Sequence, residues 1–200
     1  MIQSDWEKNL PYWLLTLLVL AFFYGIYFTK KLAQKRRGIR TRQIGRRKEK
    51  KLHTVEMLMS VATGGIVAVQ LASLYFDRTC LPGSARFTGF LTALLGDGIF
   101  LAAVLSMRDS WRAGIPERDK TALVTDGIYV FSRNPAFLGF DLMYIGVLLM
   151  YCNPWNGLFT AFAIVMLHLQ ILQEEKYMEA TFGEDYRAYK QRVFRYLGRR

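Results

Sequence analysis

The stretch LPYWLLTLLVLAFFYGIYF, residues 10–28, decides the fold, because its 19 residues include no charged side chain. Crossing a hydrocarbon core of about 30 Å takes roughly 20 helical residues. Four further apolar runs follow, at about 55–76, 88–107, 135–151 and 157–172. The last two runs are short, so we expect flanking aromatic residues or local bilayer thinning to accommodate them. The sequence therefore predicts an all-α, integral membrane helical bundle with five transmembrane helices, a single membrane domain over residues 1–200.

The charges lie apart from these apolar runs. The net charge is +11 at pH 7, although 52% of the residues are apolar. Segment 30–51 holds 12 Lys and Arg residues and one Glu, which accounts for the whole net charge. With five spans, 24 of the 27 Lys and Arg residues fall on one side of the membrane. The positive-inside rule then predicts an N-terminus outside and a C-terminus in the cytoplasm, in what we expect to be a bacterial inner (plasma) membrane.

Composition excludes several classes of protein. The high apolar content excludes intrinsic disorder, and two cysteines exclude a disulfide-rich mini-protein. Cys80 and Cys152 are both expected on the non-cytoplasmic side, and whether they pair is left open. Two distant Cys and two distant His form no recognised metal-ligand spacing. Because topology explains the basic segment 30–51, we expect it to hold anionic lipid head groups rather than a nucleic acid.

The richest polar region is 106–137, SMRDSWRAGIPERDKTALVTDGIYVFSRNPAF. It reads as a loop that leads directly into the fourth apolar run. Pro135 suits the first turn of a helix, and Asn134 can cap that helix. The exposed backbone amides, with Arg133 beside them, suit an anionic group.

A second polar region, 173–197, reads QEEKYMEATFGEDYRAYKQRVFRYL. Glu174 and Glu175 stand where the fifth run leaves the membrane, and Gly183 is predicted to break the helix. An amphipathic tail on the membrane surface explains the aromatic residues that follow. It does not explain the paired glutamates.

Asp97, Asp141 and His168 lie deep inside predicted spans. For Asp97 we expect a hydrogen bond that only holds the bundle together. Asp141 is six residues beyond Pro135, and His168 is six residues before Glu174. At about 1.5 Å per residue, both are roughly 9 Å below the cytoplasmic surface on consecutive helices. They can share one cavity that opens to the cytoplasm, or they can form hydrogen bonds that only hold the bundle together.

Together the two polar regions resemble the isoprenylcysteine carboxyl methyltransferase family and the related phospholipid methyltransferases. The resemblance covers about 106–196, which we take as the methyltransferase core. Ser110–Ile115 looks like the version in bacterial members. The positions that carry the resemblance are Leu123, Val124, Gly127, Tyr129, Arg133, Asn134, Pro135, Phe137, Gly139, Glu174, Glu175, Phe182, Gly183, Tyr186, Tyr189 and Val193.

The resemblance implies a membrane methyltransferase that uses S-adenosyl-L-methionine at the cytoplasmic face and acts on a lipid or lipid-linked acceptor. Three positions depart from the family pattern: Asn134 replaces a histidine, Phe137 replaces a tyrosine, and Gln170 replaces the arginine of prenylcysteine-methylating members. The cofactor-binding residues that the resemblance implies are Leu123, Val124, Gly127, Tyr129, Arg133, Asn134, Pro135, Phe137 and Glu174.

The catalytic candidates follow from the chemistry of methyl transfer. A carboxylate acceptor arrives ionised, whereas an amine or a thiol needs a base, for which Asp141, His168 and Glu175 are candidates. Arg112 can orient an anionic group. Gln170, one helical turn before Glu174, completes the set of candidates.

Two alternative functions stay open from the sequence. One is an NADPH-dependent membrane reductase of the sterol-reductase type, whose C-terminal half is similar but which carries a further motif absent from this chain. The other is a non-enzymatic membrane protein that binds anionic lipid through segment 30–51. The methyl acceptor and the oligomeric state are not specified by the sequence.

Overall fold

A computed structural model of the chain describes residues 11–39, 41, 50–112, 115 and 122–200, with the backbone alone at 50–51. Parts of the basic segment 30–51 and of the motif 110–115 therefore lie outside the described residues. The helices are α1 (Tyr12–Arg36), α2 (Lys50–Phe76), α3 (Gly83–Met107), α4 (Pro135–Met150) and α5 (Pro154–Arg192), with 3₁₀ turns at Arg108–Ser110 and Gly127–Val130. The described residues contain no strand, which confirms the all-α prediction.

Four helices, α1, α2, α3 and α5, are long and apolar enough to cross a membrane. Helix α4 has 16 residues, about 24 Å at 1.5 Å per residue, which is shorter than a typical hydrocarbon core. The second and third predicted runs end at the same residues as α2 and α3. Helix α5 extends beyond the fifth predicted run, to Arg192 across a kink at Gly183. The chain is an integral membrane protein with at least these four candidate spans.

The predicted break in α5 is present at Gly183. Its φ of +53° and ψ of −122° interrupt the helical geometry, and positive φ is the region that glycine adopts without steric cost. The helix is therefore kinked there. The short segment that follows carries Tyr186 and Tyr189, both of which are buried.

Among the described residues, α3 and α4 make the most extensive helix–helix contact. A Cβ added at Gly96 would lie 2.7 Å from the carbonyl oxygen of Gly139, and one at Gly146 would lie 2.5 Å from the carbonyl oxygen of Gly89. In each helix the two glycines are seven residues apart, about two turns. Small residues at this spacing let the two backbones touch. This contact fixes the start of α4 beside the end of α3.

Aromatic packing joins α1 to this pair. Phe23 is fully buried, and its ring stacks on Phe100 at 4.6 Å between centroids. The Phe140 ring meets Phe23 edge-on at 4.7 Å. Offset-stacked and edge-to-face pairs are the favoured arrangements of buried rings. Helix α1 is thereby held against α3 and α4.

The residues after α5 fold back as a turn onto the segment that precedes α4. The N–H of Phe194 donates to the carbonyl of Gly198 at 2.9 Å, and the N–H of Gly198 donates to the carbonyl of Phe131 at 2.7 Å. The N–H of Arg133 donates to the carbonyl of Phe194 at 3.1 Å. We call residues 193–199 the C-terminal turn. It packs against the start of α4.

The α3–α4 contact predicts different outcomes for two neighbouring substitutions. Gly96→Ala places a methyl group against backbone atoms, which cannot move aside as a side chain can. Overpacking costs about 1–3 kcal/mol, which lowers Tm by roughly 3–10 °C in a protein of this size. Gly98→Ala makes the same change on the same helix where nothing lies within 4 Å, so its Tm should not fall. Heating in detergent followed by size-exclusion chromatography measures both, and equal losses would contradict the close contact.

Candidate functional site

Two cavities adjoin at the end of the bundle where α3 ends and α4 begins. The apolar cavity, about 340 Å³, lies among α1, α2, α4 and α5. The polar cavity, about 110 Å³, lies among the end of α3, the segment 122–134, the start of α4 and α5. The two cavities share a wall made of Trp111, Arg112, Ala136, Phe137 and Glu174.

The polar cavity collects most of the residues that the sequence assigns to a cofactor. Gly127 and Pro135 are the two that do not line it. Gly127 has a φ of +57°, and a Cβ there would collide with the hydroxyl of Ser106, so this glycine shapes the turn. Pro135 is the first residue of α4. The predicted residues that line the polar cavity are Leu123, Val124, Tyr129, Arg133, Asn134, Phe137 and Glu174.

Tyr129 is held firmly in the wall of the polar cavity. It is buried, and the hydroxyl of Tyr189 donates a 2.7 Å hydrogen bond to its carbonyl oxygen. Burial raises the pKa of the Tyr129 phenol well above its usual value, and the charges of Tyr189 and Glu174 raise it further. The phenol therefore remains a neutral hydrogen-bonding group at physiological pH.

Glu175 is the centre of a buried ion cluster. Its Oε1 lies 2.9 Å from Nη2 of Arg133, and its Oε2 lies 2.9 Å from Nη2 of Arg195. The side chains of Glu175 and Arg133 are only 7% and 6% exposed. The hydrogen bond from Arg195 to Glu175 raises the pKa of that guanidinium. Guanidinium groups thus occupy both carboxylate oxygens.

Asn134 differs from its predicted role. It stands directly before α4, but its side chain makes no capping hydrogen bond to that helix. Its amide donates instead to Oε1 of Glu175 at 3.3 Å and to the carbonyl of Arg195 at 3.2 Å. A bond to an ionised carboxylate is roughly twice as strong as one between neutral groups. The prediction that Asn134 caps α4 is therefore wrong.

Glu174 stands at the junction of the two cavities. Gln170, one turn earlier on α5, donates its side-chain amide to Oε1 of Glu174 at 3.0 Å. Gln170 is fully buried and lines the apolar cavity. Among the described residues, its carbonyl Oε1 has no hydrogen-bond partner. A carboxylate and a buried amide oxygen therefore lie one helical turn apart beside the apolar cavity.

Arg112 supplies the cation of the shared wall. Its Nη1 donates to the carbonyls of Asp109 at 2.6 Å and Trp111 at 2.9 Å. These bonds tie the guanidinium to its own loop. Glu175, Gln170 and Arg112 are thus the three catalytic candidates that line a cavity.

Asp141 and His168 line neither cavity. Nδ1 of His168 lies 2.6 Å from the hydroxyl of Tyr196, and the two rings stack. Burial, followed by the Asp141 carboxylate, raises the pKa of the Tyr196 phenol. Tyr196, from the C-terminal turn, therefore lies against His168. A cavity shared by Asp141 and His168 is not one of these two cavities.

Sequence reasoning missed the wall that α1 and α2 contribute to the apolar cavity. Tyr24 lines it from α1, and Ser60, Thr63, Gly64 and Val67 line it from α2. The α2 positions follow an i, i+3, i+4, i+7 spacing, which marks one helix face. Small and hydroxylated residues on one face of an apolar span were the available signal. Arg195 and Tyr196 were also missed, because their roles depend on the C-terminal turn.

Comparison with known proteins identifies the family of this chain. The sequence profile described as phospholipid methyltransferase matches residues 85–185. Protein-S-isoprenylcysteine O-methyltransferase B of Arabidopsis thaliana is 28% identical over 168 residues, which cover 70% of this chain and 84% of that protein.

Two further relatives have similar names. Protein-S-isoprenylcysteine O-methyltransferase of Mus musculus is 30% identical over 109 residues, covering 53% of this chain and 38% of that protein. The probable protein-S-isoprenylcysteine O-methyltransferase of Oryza sativa subsp. indica is 30% identical over 112 residues, covering 54% and 58%. The chain thus spans less than two thirds of both.

The matched region includes α3, α4 and most of α5, and with them the whole wall that the two cavities share. The profile match extends over half of the chain. The chain therefore belongs to the phospholipid methyltransferase family and is a methyltransferase of the isoprenylcysteine O-methyltransferase type.

Proposed function

We propose that the protein transfers a methyl group from S-adenosyl-L-methionine to a lipid or lipid-linked acceptor at the cytoplasmic face of the membrane. The observation that carries this proposal is the shared wall of the two cavities. A water-soluble cofactor in the polar cavity and a lipid in the apolar cavity meet at Phe137 and Glu174. Methyl transfer needs the donor and acceptor in line and water excluded.

The side chains of the polar cavity suit this cofactor. Leu123, Val124 and Phe137 offer apolar surface to an adenine ring, and the Glu174 carboxylate accepts hydrogen bonds from ribose hydroxyls. Arg112 suits the methionyl carboxylate. When bound, the cofactor supplies an electrophilic methyl group on a sulfonium. The protein's own groups orient it and keep water out.

The apolar cavity suits an acceptor with a hydrocarbon chain. The names of these relatives refer to isoprenylcysteine in proteins, which supports a lipid-linked acceptor here. Gln170 presents a carbonyl oxygen rather than a cation to this cavity, because its amide is bound to Glu174. An acceptor that carries an N–H or O–H donor fits that oxygen, so prenylated peptides and amine phospholipids are both to be tested.

The catalytic candidates take different parts in this proposal. Arg112 and Gln170 orient the reactants at the junction. Glu175 holds the frame of the site, because neither of its oxygens is free to accept a proton from a substrate. His168 supports the C-terminal turn through Tyr196, and the Asp141 carboxylate raises the pKa of that phenol. For a carboxylate acceptor, which arrives ionised, alignment rather than a general base among these residues then carries the reaction.

The membrane placement follows the distribution of charge. When the short helix α4 is counted as a span beside the four longer helices, the chain crosses the membrane five times. This count puts segment 30–51, the polar cavity and the C-terminus on the cytoplasmic side. Segment 30–51 then lies beside anionic lipid head groups. The likeness of Ser110–Ile115 to bacterial members supports a bacterial inner membrane.

The profile match favours methyl transfer over both alternatives. A nicotinamide-dependent reductase and a non-enzymatic lipid-binding protein each lack a specific supporting observation.

The direct test incubates purified protein with methyl-labelled S-adenosyl-L-methionine and total membrane lipid. We expect labelled lipid, identified by mass, together with calorimetric binding of S-adenosylhomocysteine and none of NADPH. Gly64→Leu should lower kcat/KM for the acceptor at least about tenfold, because Gly64 lines only the apolar cavity. The affinity for S-adenosylhomocysteine should stay unchanged. Gly25→Leu is the matched control, since nothing lies within 4 Å of its Cβ position. Binding of NADPH alone would overturn the proposal.

Adjacent glutamates should give separate effects. Glu174→Gln should weaken S-adenosylhomocysteine binding at least about tenfold, because a hydrogen bond to a charged group contributes about 1.5–3 kcal/mol. Its Tm should stay near that of the wild type. Glu175→Gln should lower Tm by roughly 6–20 °C, since breaking a buried ion pair costs about 3–5 kcal/mol. Identical profiles for the two variants, in calorimetry and thermal unfolding, would contradict the assigned roles.

The proposed orientation is testable at Cys80, which is exposed. In a Cys152→Ser background, a membrane-impermeant maleimide added to intact bacterial cells should label Cys80. A cysteine introduced by Lys35→Cys, with both native cysteines replaced by serine, should be labelled only after lysis. The reverse pattern would invert the topology.

A further inference from the structure

Two helix connections meet at the end of the bundle opposite the cavities. One connection, 77–82, joins α2 to α3, and the other, 151–153, joins α4 to α5. The N–H of Cys80 donates to the carbonyl of Cys152 at 3.1 Å. The N–H of Cys152 donates to Oγ1 of Thr79 at 3.2 Å. The two cysteines are therefore direct neighbours through their main chains.

Other contacts hold the two connections together without the thiols. The side-chain amide of Asn153 donates to the hydroxyl of Ser73 on α2 at 2.9 Å. The guanidinium of Arg86 on α3 lies 4.9 Å from the centroid of the Tyr151 ring. The connection 151–153 is thus fixed to α2 and α3, the two helices that flank the other connection. The position of the cysteine pair does not depend on a bond between them.

This arrangement suits a covalent link. The single main-chain hydrogen bond between Cys80 and Cys152 brings their Cα atoms close together, and a disulfide needs Cα atoms roughly 4.4–6.8 Å apart. Both thiols are free, and the pKa of the Cys152 thiol responds to Cys80. We propose that Cys80 and Cys152 form a reversible dithiol site, which an oxidant of the disulfide class converts to an intramolecular disulfide.

The two cysteines have different parts in that exchange. The hydrogen bond with Cys80, followed by burial, raises the pKa of the Cys152 thiol, whereas Cys80 is exposed. The Cys80 thiolate attacks a sulfur of the oxidant and releases one oxidant thiolate. The Cys152 thiolate then attacks the Cys80 sulfur of the mixed disulfide and releases the second. The protons of the two cysteine thiols end on the two oxidant thiols, so the oxidant gains the two electrons that the cysteines lose.

The bond closes a loop that contains α3, α4 and the whole segment between them. A disulfide across a long loop restricts the unfolded chain, so the folded bundle gains stability. Disulfides persist in oxidising compartments such as the bacterial periplasm, on the side of the membrane that the charge distribution assigns to Cys80. The site is independent of methyl transfer, because neither cysteine lines a cavity.

The test uses full-length protein in detergent, reduced with dithiothreitol and then treated with oxidised glutathione. After iodoacetamide, we expect an unalkylated monomer that has lost two hydrogen atoms, and a proteolytic peptide pair joining Cys80 to Cys152. Its Tm should rise by about 5–15 °C and return on reduction. Two alkylated thiols, a lasting glutathione adduct, or disulfide-linked dimers would each overturn the proposal.

Single-cysteine variants provide the matched controls. Cys80→Ser and Cys152→Ser should lose the oxidation-dependent rise in Tm, and Cys152→Ser should retain a glutathione adduct at Cys80 because no second thiol displaces it. Should either variant fold poorly, the wild-type peptide pair still decides the matter. A Tm rise that persists in both variants would contradict a bond between these two residues.

Discussion

The polar half of the site depends on the ion pairs that the buried carboxylate of Glu175 makes with two arginines. Glu175 joins three separate parts of the chain: α5 through its own backbone, the segment before α4 through Arg133, and the C-terminal turn through Arg195. A charge removed from water is tolerated only when it is paired and hydrogen-bonded. Because the partners come from distant positions in the sequence, the charges can be satisfied together only when these three parts meet. The polar cavity is formed where they do.

The α3–α4 contact provides the matching constraint on the apolar side. Glycines 89, 96, 139 and 146 let the two backbones meet, so the start of α4 has one position relative to the end of α3. Phe137 and Phe140 are carried by that first part of α4, and both line the apolar cavity. Close glycine packing thus sets the position of Phe137 and Phe140. The ion cluster sets the position of Glu175 relative to the segment before α4.

Much of this could be predicted from sequence, and the reason is local. Apolar length determines a span, so α2 and α3 end where the apolar runs end. The motif residues near Asn134 and Glu174 were found because each motif is continuous in sequence. Asn134 itself was misread, since its capping role was judged from its position in the helix, whereas its partners are Glu175 and Arg195. Hydrogen bonds that depend on tertiary contact leave no local pattern.

The same distinction separates the two halves of the proposed reaction. The shared wall and most of the lining of the polar cavity belong to the region that matches the family profile, whereas α1 and the α2 face from Ser60 to Val67 precede it. In the proposed function, the cofactor half needs a fixed set of polar groups, because one molecule must bind in one orientation. The acceptor half needs only apolar volume of a suitable shape, and many side chains supply that. On that proposal, specificity for the acceptor resides in α1 and the α2 face, which lie before the region that the profile matches, and Gln170 stands where the two halves meet.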